Sequence, residues 1–427
     1  MKRKLILLFA LGLPLITIGQ TVGTVTTPAP EPEKSMEIYG FMMTDVIYHF
    51  NQENPNWLDG LRPTKLPIYE NDPNYSTEGT IFFGVRQSRF GVKGYTPTKF
   101  GELKTHFEFE LFGTGVDEGQ TTLRLRHAYG QLGKWGVGQT WSPFMDIDVF
   151  PNSVEYWGPT GMAFYRNVQV RYMPIQGETF MTIALERPGG SADGSSYSEI
   201  EDIQNTKSNF MAPDLSAEYR KAMKWGYLEL AGIVRYIGWE DLDTDDGNDL
   251  SDNTIGYGLN LSSNIKLCKT ATARLGFVYG AGIENYMNDA TTDIAVKYDP
   301  TNVSKPYTGE VLPMFGGSVF VDFQWNEKFS SSVGGSMIQI DNIEDQSYTT
   351  FQTGTYGLAN LLYYPAKNMM CGVEIQYGNR ENKNEGAGYD AAPDDYLDDA
   401  TAMRVQFSFK YNFSHTLFRK PPPAPAP

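Results

Sequence analysis

A chain of 427 residues is longer than most single-core soluble domains, although all-β barrels of this length occur as one unit. Its formal charge of -16 excludes a basic nucleic-acid face, and two cysteines, Cys268 and Cys371, exclude a disulfide scaffold. Aromatics at 14% with 43 glycines but modest overall hydrophobicity suit a barrel with an apolar outside and a wet inside.

Residues 1–19 have the parts of a secretory signal: Lys2, Arg3 and Lys4, the apolar run Leu5 to Ile18, then Gly19 before Gln20. Its removal takes away three positive charges and no acids, so the mature chain is more acidic still. Beyond it no apolar run approaches the ~18 residues that a membrane helix needs, which excludes a helical membrane protein. Residues 20–35, rich in Thr, Pro and Glu, read as a disordered linker. Residues 36–413 are the candidate barrel. The tail, 414–427, ends in Pro421 to Pro427 and reads as polyproline II, either an unstructured end or a contact for periplasmic partners such as the cell wall.

A transmembrane strand shows lipid at one residue and water at the next, because its side chains alternate with a period of two. From Glu102 to Phe112 the set Glu102, Lys104, His106, Glu108 and Glu110 interleaves with Leu103, Thr105, Phe107, Phe109 and Leu111. Near residue 231, Leu228, Leu230, Val234 and Tyr236 alternate with Glu229 and Arg235. In the last segment Met403, Val405, Phe407, Phe409, Tyr411 and Phe413 alternate with Arg404, Gln406, Ser408, Lys410 and Asn412. This reading predicts sixteen segments centred near residues 43, 87, 107, 127, 138, 169, 183, 218, 231, 260, 277, 319, 334, 356, 374 and 407.

Their connections alternate in length. Asn51 to Glu78, Trp141 to Ala163, Pro188 to Pro213, Trp239 to Asn253, Glu284 to Val311 and Asn379 to Ala400 are long. Thr96 to Gly101, Met173 to Gly177, Trp325 to Lys328 and Pro365 to Asn368 are short. Long outer loops opposite short periplasmic turns are the pattern of an outer-membrane barrel in a Gram-negative bacterium, and a sandwich or propeller gives no reason for it. The predicted fold is therefore an all-β, transmembrane antiparallel β-barrel of about sixteen strands, closed because an open edge in lipid leaves backbone groups unpaired. Its aromatic last strand is the expected handle for the barrel-assembly machinery.

Basic residues recur on the inward parity of the early strands: Arg89, Lys93, Lys104, Arg124, Arg126 and Arg171, with Arg166 at the mouth of its strand. A charge facing lipid at mid-membrane costs up to ~2–4 kcal/mol, so these side chains are expected in the lumen, where rings of Arg and Lys favour anions. Either they form a functional basic stripe, or Glu108 and Glu110 pair with Arg124 and Arg126 as a structural wall. Arg86 breaks the parity of Arg89, and a local bulge would turn both inward. The long connection after Trp141 carries Pro143, Phe144, Met145, Phe150, Trp157 and Phe164 beside Asp146, Asp148 and Glu155. Folded into the barrel as a constriction loop, it would set those carboxylates opposite the arginines; the alternative use of its apolar surface is packing under a neighbouring subunit.

Acidic clusters fill two late loops, Glu240 to Asp252 and Asp390 to Asp399. Asp241, Asp243 and Asp245 imitate the first half of a calcium loop, but Asp246 stands where that loop needs glycine, so divalent cations held loosely are favoured over a specific site. No cofactor is expected. A hydrolase or an adhesion barrel is the competing class. Of the four histidines, His49, His106, His127 and His415, His127 shares parity with Leu125 and Tyr129 and so reads as lipid-facing, with no serine paired to it. Enzyme activity is not expected.

Together these residues resemble the DcaP-like porins of the outer membrane. The resemblance is carried by Ser88-Arg89-Phe90-Gly91, Phe100-Gly101-Glu102-Leu103-Lys104 running to Phe107-Glu108, Arg124-Leu125-Arg126-His127-Ala128-Tyr129-Gly130 and Gly138-Gln139-Thr140-Trp141-Ser142-Pro143-Phe144. It continues through Gly158-Pro159, Arg166 and Gln169-Val170-Arg171-Tyr172. It covers chiefly residues 80 to 190, and the later strands match only as generic barrel. The resemblance implies a homotrimeric, sixteen-stranded passive channel in outer-membrane lipid, with a loop folded inward and a preference for small anionic solutes such as dicarboxylates.

Overall fold

Alternating side chains are laid out as sixteen antiparallel strands that close on themselves. The structure, a computed structural model, describes residues 34–243, 249–386 and 388–417. The signal expected over 1–19, nearly all of the 20–35 linker and the proline run of the tail lie outside them. In chain order the strands are β1 (Ser35–His49), β2 (Ile81–Gly84 continued by Arg89–Thr98), β3 (Gly101–Phe112), β4 (Thr121–Leu132), β5 (Trp135–Trp141), β6 (Arg166–Ile175), β7 (Phe180–Glu186) and β8 (Asp214–Met223). They continue as β9 (Gly226–Asp241), β10 (Asp252–Lys266), β11 (Ala271–Ala281), β12 (Pro313–Gln324), β13 (Phe329–Ile340), β14 (Phe351–Tyr363), β15 (Met369–Asn382) and β16 (Asp399–Leu417). Every centre read from the sequence falls within one of these strands except 87, which falls in the break of β2. Strand β16 returns to β1, with Met36 opposite Leu417 and His49 opposite Arg404, so no backbone edge is left to lipid.

Burial is inverted relative to a soluble protein. On β16 Phe407 and Tyr411 are exposed outward, while Arg404, Gln406 and Ser408 are buried inward. On β3 Phe107 faces out and Glu108 and Glu110 are buried. The last strand is longer than its alternation indicated: Ser414 to Leu417, read as the start of the tail, pair with Met36 to Tyr39.

Two irregularities re-aim side chains. β1 pairs Phe41 with Arg89 and Asp45 with Gly84, so three residues on β1 face four on β2, and this extra residue turns Arg86 and Arg89 both inward. Between β3 and β4 the register shifts at Glu108/Phe109, which inverts the parity of β4 beyond Arg126. His127 therefore does not face lipid, as its spacing from Leu125 suggested. It is buried, with its ring stacked 4.4 Å from that of His106 and its Nδ1 3.0 Å from the Thr140 hydroxyl.

The hydrophobic core lies inside the barrel, where three loops fold. In the 142–165 connection Phe144 and Met145 pack with Ile233 of β9 and Val278 of β11, and Asn260 of β10 donates to the Phe144 carbonyl at 2.8 Å. Further along, Ser153 and the Val154 amide donate to Glu374 of β15 at 2.8 and 3.0 Å. Gly161, at φ +71°, presses on the wall so closely that an added Cβ would lie 1.9 Å from the Met337 carbonyl oxygen. The connections 50–80 and 282–312 close over this loop. Asn288 exchanges hydrogen bonds with Trp157, at 2.8 Å each, and Asp289 accepts from Arg62 at 2.8 Å and from the Thr64 amide at 3.0 Å.

Candidate functional site

The loop runs along β9 to β15 and fills that side, and a cavity of about 610 Å³ lies against β1, β2, β4 to β6 and the inner faces of β15 and β16. Four guanidinium groups from three strands converge there: Arg89 on β2, Arg124 and Arg126 on β4 and Arg166 on β6. Between them stand Glu108 and Glu110 of β3. Arg126 engages both, with Nε 2.7 Å from Glu108 and Nη1 2.6 Å from Glu110. Arg89 reaches Glu110 at 3.2 Å, and Arg124 and Arg166 stand 3.7 and 3.6 Å from the same carboxylate. Tyr156 of the loop also donates to Glu110. Two carboxylates thus serve four arginines; among the described residues the buried Nε of Arg89 and Nη1 of Arg166 have no hydrogen-bond partner, and Arg89 Nε stands 3.7 Å from Glu108. The guanidinium groups that border the cavity outnumber the carboxylates paired with them, an arrangement that suits an anion.

Strand alternation and loop placement add two cations that the sequence reading passed over. Lys410, on the inward parity of β16, borders the cavity 4.0 Å from the centre of the Phe41 ring. Arg62, in the 50–80 loop, is held between the rings of Trp57 and Trp157 at 4.3 and 4.5 Å. The signal for Lys410 was present in the alternation that placed Arg404 and Gln406 inward. None existed for Arg62, whose position depends on a contact with Asp289 more than two hundred residues away.

Six cationic side chains border the cavity, against the carboxyl groups of Glu155 and Glu284. Glu155 is paired with Arg404 at 3.0 Å and accepts the Leu61 amide at 2.9 Å. Glu284, in the 282–312 loop, is buried with neither oxygen hydrogen-bonded among the described residues; burial and the neighbouring Asp293 push its carboxyl well above the usual carboxylate range, toward the uncharged form.

The remaining expected site residues are distributed differently. Lys93, 4.5 Å from the centre of the Tyr39 ring, and Arg171, bonded to Gln169 at 2.9 Å and to the Trp141 carbonyl, are not among the cavity's borders. Lys104 is half exposed near the β2–β3 turn, 3.9 Å from Glu102. Asp146 and Asp148 do not oppose the arginine cluster. Both are drawn to Arg220 of β8, at 2.6 and 2.5 Å, and Asp146 also accepts from Tyr227 at 2.6 Å and Ser262 at 2.7 Å. They anchor the loop to the far wall because the cations nearest their stretch of chain lie there. Asp241 caps its own loop, accepting the Asp243 and Leu250 amides at 3.0 and 2.9 Å, and Asp245 lies outside the described residues. Among the described residues no group of three or more His, Cys, Asp or Glu side chains converges to hold a metal ion.

A second cavity, about 420 Å³, is bordered by Lys269, Arg274 and Asp322 near the β10–β11 turn. Phe150 borders both cavities, so the loop tip stands between them.

A closed barrel with an apolar outer wall, narrowed by an infolded loop beside a charged cavity, is a channel of the porin class in the outer membrane of a Gram-negative bacterium. The sequence profile of the DcaP outer membrane protein family matches residues 19–390, and the chain belongs to that family. It is similar in fold to the outer membrane channel DcaP of Acinetobacter baumannii, at 18% identity and a TM-score of 0.71, over 89% of this chain and 98% of that one. An anion-selective porin from Comamonas acidovorans matches at 10% identity and a TM-score of 0.56, over 89% of this chain and all of that one. OmpT of Vibrio cholerae, in a trimer form, matches at 12% identity and 0.52, over 90% and 100%. No curated protein matches the sequence.

Proposed function

We propose that this porin passes small anionic solutes, dicarboxylates among them, by diffusion through the cavity beside β1 to β6, and that it works as a homotrimer. The observation that carries the reading is the excess of guanidinium over carboxylate at Arg89, Arg124, Arg126 and Arg166. A carboxylate arriving from water replaces its hydration there with charge-assisted hydrogen bonds, and Arg62 and Lys410 at the border of the same cavity extend the positive path. Lys93, Lys104 and Arg171 flank this path and act on it only at longer range. The trimer is supported by the trimeric form of the Vibrio cholerae relative in fold, and anion preference by the selectivity for which the Comamonas acidovorans porin is described.

The test is the reversal potential of the purified channel in a planar bilayer under a salt gradient. Anion-selective steps appearing in threes are expected. Cation selectivity would overturn the anion reading, and single unlinked steps would overturn the trimer.

A further inference from the structure

The outer loops above β8 and β9 hold an apolar crevice of about 220 Å³ that shares no bordering residue with the constriction. Its walls are Ile203 on the Glu201–Gln204 turn, Phe210, Ile237 and Trp239 of β9 and Ile294 and Val296 of a small loop sheet. Ile203 and Phe210 are only partly buried, on the long connection between β7 and β8. An apolar recess kept at a water-facing surface marks an interaction site. At this size it falls below the ~300–1,000 Å³ of small-molecule pockets and matches a single large side chain, the anchor of a larger partner.

Two further observations define that partner. Among the described residues Thr206–Ser208 pairs with Trp239–Asp241 along one edge only, and all three of its residues border the crevice. An open edge of this kind accepts an extended chain. The one charged side chain that borders it, Lys207, is paired with Glu240 at 3.5 Å, and the charge left over beside it is negative. Glu201 and Asp202 directly precede Ile203, and neither is in an ion pair among the described residues, whereas the nearby Lys297 and Lys305 are each paired, with Glu310 and Asp252 at 2.7 and 2.7 Å.

We propose that this crevice docks an extended, basic segment of a protein partner outside the cell, with one large apolar side chain in the recess and flanking lysines or arginines against Glu201 and Asp202. The site is independent of conduction, so its occupancy does not depend on which ions the channel prefers.

The experiment uses the full-length purified channel and a fluorescein-labelled peptide of lysine and threonine with one central tryptophan, followed by fluorescence anisotropy. Saturable binding is expected. Ile203→Glu is expected to weaken it about tenfold although it adds a negative charge, and replacing the peptide's tryptophan by alanine is expected to do the same. The pair Glu201→Gln and Asp202→Asn is expected to weaken it about threefold and to reduce its salt dependence. Unaltered bilayer conductance and heat-modifiable electrophoretic mobility of Ile203→Glu show that the barrel is intact. Equal or tighter binding to Ile203→Glu would mean attraction to acidic loops alone and overturn the proposal. No binding to the wild type would do so as well, and full displacement by decanoate would assign the recess to an acyl chain instead.

Discussion

Both walls of the lumen carry arginines, yet they use them in opposite ways. On β2 to β6 four guanidinium groups share two carboxylates, whereas on β8 and β9 the carboxylates outnumber the cations. Arg220 meets Asp146, Asp148 and Glu229, and Arg235 meets Asp214 and Asp293. The first wall borders the open cavity and the second is covered by the loop. A basic residue in a barrel lumen is therefore not by itself a selectivity residue. What separates pore charge from scaffold is how many carboxylates the tertiary structure delivers to each cation, because a saturated guanidinium has neither donors nor net charge left for a passing solute.

That contrast is open to attack from both sides. The largest effect is expected on the scaffold wall: Arg235→Ala leaves Asp214 and Asp293 buried without their cation and is expected to cost about 3–5 kcal/mol, read as a lower urea midpoint for unfolding of the purified barrel. Wild-type stability in that variant would mean that the covered wall is not held by its ion pairs. On the open wall, the combined Arg89→Gln, Arg124→Gln and Arg166→Gln leaves Arg126 with both glutamates, and the anion-to-cation permeability ratio is expected to fall about tenfold or more. An unmoved reversal potential would erase the functional difference between the walls.

A third effect comes from Glu284, in the loop that clamps the constriction. Its folded pKa lies above the ~4.3 of an unfolded glutamate, so the folded state binds this proton more tightly. The stability it contributes is complete below that value and is lost as pH rises toward the folded pKa, at about 1.4 kcal/mol per pH unit. Unfolding midpoints measured across that range should therefore decline with pH, and Glu284→Gln should flatten the decline; an unchanged slope would show that the carboxyl is ionised in the folded loop. The smallest effect is expected at the rim, where Lys104→Ala, half exposed beside Glu102, should change stability by no more than about 0.5 kcal/mol and leave the reversal potential where it was.

How far a feature was legible in the sequence follows from how local its cause is. Alternation is a property of neighbouring residues, so the strands could be read, down to the inward row Arg404, Gln406, Ser408 and Lys410. The apolar content of Phe144, Met145 and Phe150 likewise announced a loop that had to be buried, and Arg86 with Arg89 announced a bulge that the pairing of β1 with β2 contains. The bulge after Glu108 gave a weaker sign. Its one trace in the sequence is His127, a polar residue on the parity of Leu125 and Tyr129, and only the register of β4 against β3 turns His127 and Tyr129 inward.

The sequence by itself determined a secreted-type barrel with long outer loops, an infolded segment and a family, because period-two patterning, loop lengths and short residue blocks are all written along the chain. Only the tertiary structure decided which charges stay unpaired. Asp146 and Asp148 went to Arg220, Glu155 to Arg404 and Asp289 to Arg62, each a partner remote in sequence. Pairing depends on distances of a few ångströms across a closed lumen, and those distances exist only once sixteen strands have closed and three loops have folded between them.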